Sequence, residues 1–129
     1  PDGGTLIVAE SFGQRLTAFD LAADGTLTNR RVWATLDFYP DGIALDADGC
    51  VWCAFPISPG SFRRVAEGGR VVQQIDVPDR AAFACALGGA DRRTLFLLEA
   101  RDSSPHADLE RGNARIRTVR VEAPGAGLP

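Results

Sequence analysis

Apolar and polar positions along this chain alternate in short runs, and glycine, proline or aspartate closes each run. A period of two marks a half-buried strand, whereas a helical face needs apolar residues at i, i+3, i+4 and i+7 over several turns. The stretch from Tyr39 to Phe55 shows the design most fully. Gly42-Ile43-Ala44-Leu45 alternates large and small side chains, and Asp46-Ala47-Asp48-Gly49 follows as a tight turn. Cys50-Val51-Trp52-Cys53-Ala54-Phe55 is then an uncharged, β-branched and aromatic strand. The Asp-Gly pair supplies the positive φ that a hairpin needs. Further strands are expected at Gln14 to Asp20, Leu27 to Ala34, Phe62 to Val65, Arg70 to Val77, Ala81 to Leu87 and Asn113 to Val121. The one helical candidate, Arg80 to Ala86, is brief and flanked by turn residues. The chain is therefore expected to be all-β, with a strand roughly every 8–12 residues.

A longer period lies over the short one. Pro1 to Glu10, Asp46 to Ala54 and Gly89 to Glu99 share one plan, a polar turn followed by an apolar strand that ends in a small or acidic residue. Their turn aspartates, Asp2, Asp48 and Asp91, are 46 and 43 residues apart. One four-stranded propeller blade repeats every 40–50 residues or so. A sandwich of short strands fits the strand spacing but not this second period. The count is one blade lacking its innermost strand, one whole blade and most of a third. A closed propeller needs at least about four blades. The chain is thus expected to be part of a propeller, or to complete one with other copies. An open arc would expose two apolar blade faces.

At 129 residues the chain has the length of one modest domain, and 45% hydrophobic with 24% charged residues is ordinary for a globular protein. The net charge of −3 argues against a nucleic-acid partner, which would want a basic field. No apolar run approaches the ~18 residues that span a bilayer, and nothing resembles a signal peptide. All 14 basic side chains are arginine, and Met does not occur. That absence, with a start at Pro1, is expected of something other than a natural N-terminus. Cys50 and Cys53 have CxxC spacing, so zinc or redox chemistry has to be considered beside inert core thiols. Residues three apart on a strand point to opposite faces, which disfavours a shared ion. Three apolar-embedded cysteines fit a reducing, cytoplasmic compartment.

Several strings resemble the senescence marker protein / gluconolactonase / luciferin-regenerating enzyme family. Pro1 to Ser11 is similar to its "SPDGxTLYVAES", Arg30 to Ala34 to its "RRVFA", and Pro40 to Trp52 to its most diagnostic stretch. Cys85 to Gly89 resembles its "CAFGG", and Val121 to Pro129 its "VPGAGLP" ending. The resemblance implies a six-bladed β-propeller of about twice this length, with residues 1–129 as its C-terminal half. It implies a metal-dependent hydrolase of the lactonase type acting on a small lactone or ester. It also implies one divalent cation in the central channel, calcium first, with zinc, magnesium or manganese as alternatives. Of the implied ligands, a Glu, one or two Asn and the Asp of the Pro-Asp-Gly motif, only the last maps here, to Asp41. Asp41 is accordingly the candidate metal ligand and catalytic acid–base group; as a bare residue it could equally be a turn aspartate.

Two departures bear on substrate. Phe83-Ala84 stands where the family commonly has Thr-Ser, removing two hydroxyls. Arg101 to Gly112 adds a polar stretch that holds the only histidine, His106, expected to be solvated. Asp46 and Asp48 read as turn formers, Glu10 and Glu99 as blade-rim residues, and Trp33 and Trp52 as packing residues. The competing functional class is a non-catalytic propeller fragment that binds a partner or self-assembles, with a homo-oligomer completing the ring.

Overall fold

The computed structural model describes residues 3–101 and 113–127, so Asp2 and His106 lie outside the described residues. Ten strands are present: β1 (Thr5–Glu10), β2 (Arg15–Leu21), β3 (Leu27–Thr35), β4 (Ile43–Leu45), β5 (Val51–Phe55), β6 (Gly60–Val65), β7 (Val71–Val77), β8 (Ala81–Gly88), β9 (Thr94–Ala100) and β10 (Ala114–Arg120). They form three antiparallel sheets in the orders β1-β2-β3, β4-β5-β6-β7 and β8-β9-β10. This is the expected all-β blade plan: a first sheet without an inner strand, a complete second and a three-stranded third.

The middle sheet holds the molecule together through β5, all five of whose residues are buried. Val51, Cys53 and Phe55 join Leu16, Ala18, Trp33 and Leu36 in one core between the first and second sheets. Trp52 and Ala54 point the other way, into a second core with Phe62, Val77, Leu95 and Leu97. A strand covered on both faces reads as an unbroken apolar run, which is why Val51 to Phe55 carries no charge. β1 is covered on one face only: Ile7 and Ala9 pack inward, while Leu6 and Val8 remain exposed.

At one end the loops between strands are laced together. Leu36 N donates to Gln14 O, Asp41 N to Ala54 O, Gly42 N to Phe83 O and Gly60 N to Arg80 O, all at 2.8–2.9 Å. Arg63 pairs with Asp37 across the first and second sheets, and its guanidinium lies 4.7 Å from the Phe55 ring centre. Elsewhere the segment after β10 straps onto the second sheet. Ala47 N donates to Pro124 O, Ala126 N donates to Leu45 O, and Asp46 bridges Gly125.

The turn aspartates differ in depth. Asp46 is fully buried. Its Oδ1 accepts from the Asp48 and Cys50 backbone N–H groups, and its Oδ2 accepts from Arg64 Nε at 2.7 Å. The other end of Arg64 reaches Asp48. Gly49 closes the turn at φ +78°, the left-handed region that a side chain disfavours.

Candidate active site

Pro40 is buried and restricts the backbone that delivers Asp41 to the start of β4. Asp41 N and Ala54 N bond on either side of this point, to Ala54 O and Gly42 O respectively. The backbone of β8 passes so close that a Cβ on Gly42 would sit 2.6 Å from Ala84 Cα. Glycine is required there by the approach of another sheet, not by its φ. β8 is irregular between Ala82 and Ala84, so Phe83 falls at the irregularity that offers its carbonyl to Gly42. The Cys85 thiol lies beneath, 3.5 Å from Trp52 O and 3.6 Å from Gly42 O. The acid-bearing loop is thus pinned from the second and third sheets at once.

The electrostatics set Asp41 apart. Among the described residues arginines occupy most acids: Glu10 is held by Arg15 and Arg30, Asp20 by Arg31, Asp91 by Arg120, and Glu99 by Arg115 and Arg117. Among these residues Asp41 has no side-chain partner. The protein atoms crowding it penalise its charge and raise its pKa above the ordinary 3.8, although the residue as a whole remains solvent-exposed. Asp24, Glu67, Asp76 and Glu122 also lack an ion pair, but Asp24 accepts from Thr26 N and Asp76 from Gln74, and Glu67 and Glu122 lie on the β6–β7 turn and after β10.

Glu10 and Glu99 are therefore structural clamps. Thr17, Arg15 and Arg30 hydrogen-bond the Glu10 carboxylate and hold its pKa at about 2. Glu99 is buried under its two arginines. Phe55 holds the corresponding strand-end place in the middle sheet, with Arg63 stacked on it.

The rest of the neighbourhood was not legible from spacing. Phe12 and Tyr39, from separate loops, meet edge to face at 6.2 Å. Arg80 is buried and donates to Asn113 O, while its Nε has no hydrogen-bond partner. A cleft of about 330 Å³ runs along β4 and β8 to Gly125–Gly127, lined by Ile43, Leu45, Cys85 and Leu87 among others. Asp41 is not among its lining residues.

The thiols offer no soft metal site. Burial pushes Cys53 and Cys85 up to about 12, so neither supplies a thiolate near neutral pH. Cys50 lies in the turn before β5, outside the strand. Among the described residues no group of three or more His, Cys, Asp or Glu gathers as metal ligands. Asp41 suits one place in a hard-cation site, since it is an uncommitted oxygen donor on a rigid loop. Calcium takes about 6–8 oxygens, so one carboxylate falls well short of such a site.

Three antiparallel sheets meeting face to face, with inner strands β4 and β8 side by side, define a sector of a β-propeller. Residues 1–101 match the model of the SMP-30/Gluconolactonase/LRE-like region, and the chain belongs to that family. A 6-deoxy-6-sulfogluconolactonase from Pseudomonas putida is 33% identical over 92 residues, covering 70% of this chain and 31% of that protein. Regucalcin from Xenopus laevis is 29% identical over 105 residues, covering 78% of this chain and 35% of its own. The chain thus spans about a third of the length of these curated relatives. Among solved structures, a luciferin-regenerating enzyme superposes with a TM-score of 0.77 at 20% identity, covering 96% of this chain and 44% of that one. A calcium-binding regucalcin from Agrobacterium tumefaciens superposes with a TM-score of 0.76 at 24% identity, covering 97% and 44%. At such identities the structural likeness carries the fold.

Proposed function

We propose that residues 1–129 correspond to the C-terminal half of a lactonase-type propeller hydrolase, with Asp41 as a cation ligand and proton-transfer group. One observation carries the reading. Where arginines engage most acids among the described residues, the Pro-Asp-Gly carboxylate is left uncommitted, partly desolvated and fixed by backbone bonds from two sheets. Membership of a family that includes a sulfogluconolactonase supports the reaction class. The name of the calcium-binding relative supports a hard divalent cation, calcium ahead of magnesium, manganese or zinc.

The cation, when bound, would polarise the carbonyl of the substrate. The chain's own contribution is Asp41. A carboxylate has two oxygens, so it can bind through one and accept a proton through the other. The lack of Thr-Ser at Phe83-Ala84 favours a lactone or ester less polar than a simple sugar lactone. No helix among the described residues is long and apolar enough to cross a membrane. A cytoplasmic setting fits the three free thiols.

The test uses the longest protein that the gene encodes, assayed for δ-lactone opening by pH-stat with calcium present. Asp41→Asn should lower turnover by roughly 100-fold or more, the range for losing a general base, with the far-UV circular dichroism unchanged. Retained turnover rejects the reading.

A further inference from the structure

The connector from Leu36 to Gly42 carries the chain from β3, at the outside of the first sheet, to β4, the inner strand of the second, and Asp41 rides near its end. Backbone bonds fix both ends: Leu36 N donates to Gln14 O, Asp41 N to Ala54 O and Gly42 N to Phe83 O. A single side chain grips the middle. Arg63 Nη1 donates to Asp37 Oδ1 at 2.7 Å. Its guanidinium lies 5.3 Å from the Phe38 ring centre and 4.7 Å from that of Phe55, within the range of a cation–π contact. Its Nε donates to Ser61 Oγ at 3.2 Å. One planar cation on β6 thus holds two consecutive connector residues, and its side chain is only 13% exposed.

The internal repeat shows why this arginine is free to reach out. Glu10, Phe55 and Glu99 hold matching strand ends, opposite Arg15, Ser61 and Arg115. Two residues further along the partner strands stand Thr17, Arg63 and Arg117. Thr17 donates to Glu10, and Arg117 places both Nε and Nη2 on Glu99. In the middle sheet Phe55 replaces the glutamate, so Arg63 meets a ring there and turns its charge to Asp37. We propose that Arg63 is the positioning residue for Asp41: it fixes Asp37 and Phe38 so that the free carboxylate further along the connector has one place. This role rests on the reading of Asp41 as cation ligand and proton-transfer group. Pro40 passes the hold on, because its ring removes one backbone rotation between Phe38 and Asp41. A carboxylate that serves a cation and a substrate together tolerates little displacement, about 1 Å costing on the order of 100-fold in rate.

Measurements are made on the longest protein that the gene encodes, with calcium present. Arg63→Ala should lower kcat for δ-lactone opening by roughly 10- to 100-fold and leave KM within about twofold. Arg63→Lys should recover part of the loss, and Phe38→Leu, at a half-exposed position, should show a smaller loss of the same kind. The Asp41 and Gly42 amides should exchange with deuterium faster in Arg63→Ala, while those of Val51 to Cys53 stay slow. Arg31→Ala breaks a comparable clamp on Asp20, away from the connector, and should change neither rate nor exchange. Added to Asp41→Asn, Arg63→Ala should cost no further turnover, since a positioning residue acts only through the group it places. Wild-type kcat in both Arg63→Ala and Phe38→Leu, losses that multiply in the double variant, or unchanged exchange at Asp41 and Gly42 overturns the positioning role. Full turnover in Asp41→Asn overturns the lactonase reading instead, and the exchange comparison then decides by itself whether Arg63 holds the loop.

Discussion

Single residues decide where chemistry is possible here. Asp41 is set apart by what it lacks, an arginine, and Gly42 by what it touches, the β8 backbone. Gly42→Ala should cost about 2 kcal/mol or more, the scale of overpacking against a backbone that cannot retreat, read as a fall in the urea midpoint. The acid's own effect on stability has a definite sign. A carboxyl raised above 3.8 in the fold is destabilising once ionised, and the penalty disappears as pH falls and the proton returns. Asp41→Asn should accordingly raise the melting temperature of the metal-free protein slightly at neutral pH while it removes turnover. Cysteine reactivity follows the same logic. With Cys53 and Cys85 pushed up to about 12, only Cys50 should react with a thiol reagent at mild alkaline pH, and all three after denaturation. The Pro-Asp-Gly string made Asp41 visible in the sequence. Its freedom from arginine was not visible, because which acids are clamped depends on cross-strand register.

At the level of strands and turns the alternation of side chains located every strand within a residue or two. β6 begins at Gly60 instead of Phe62, because Gly60 is tucked against the backbone of Arg80 and Ala82 and pairs with Val77. The irregularity in β8 was hidden, since no residue type announces it and its cause is the neighbouring Gly42. Asp46 was legible as a turn former but not as a buried ion. Asp46→Ala should cost about 1–3 kcal/mol in thermal or urea unfolding, as expected when the Asp48 and Cys50 N–H groups and Arg64 Nε lose their buried acceptor, while Arg64 keeps Asp48. The exposed clamps set the acid limit of the fold. Hydrogen bonds and arginines lower Glu10 from 4.5 to about 2, and Asp20 and Asp91 are lowered from 3.8 as well. Their stabilising contribution is complete above the unfolded values and is lost as pH falls through the folded ones. Acid unfolding should therefore begin below about pH 4.5 and continue towards pH 2, as followed by tryptophan fluorescence.

Over the whole molecule, the 46- and 43-residue spacing of turn aspartates carried more information than any motif. It distinguished radiating sheets from a sandwich, which local alternation alone cannot do, because both architectures bury every second residue. The aromatic contact of Phe12 with Tyr39 and the burial of Arg80 stayed hidden, since they join separate blades and depend on how these pack. The strap from Val121 to Ala126 has a consequence for biogenesis. It supplies hydrogen-bond partners to Leu45 and Ala47, residues made about eighty residues earlier. A nascent polypeptide leaving the ribosome must carry that hairpin with unmatched peptide groups until the strap has followed it out. Pauses late in translation would prolong its exposure to chaperones and proteases.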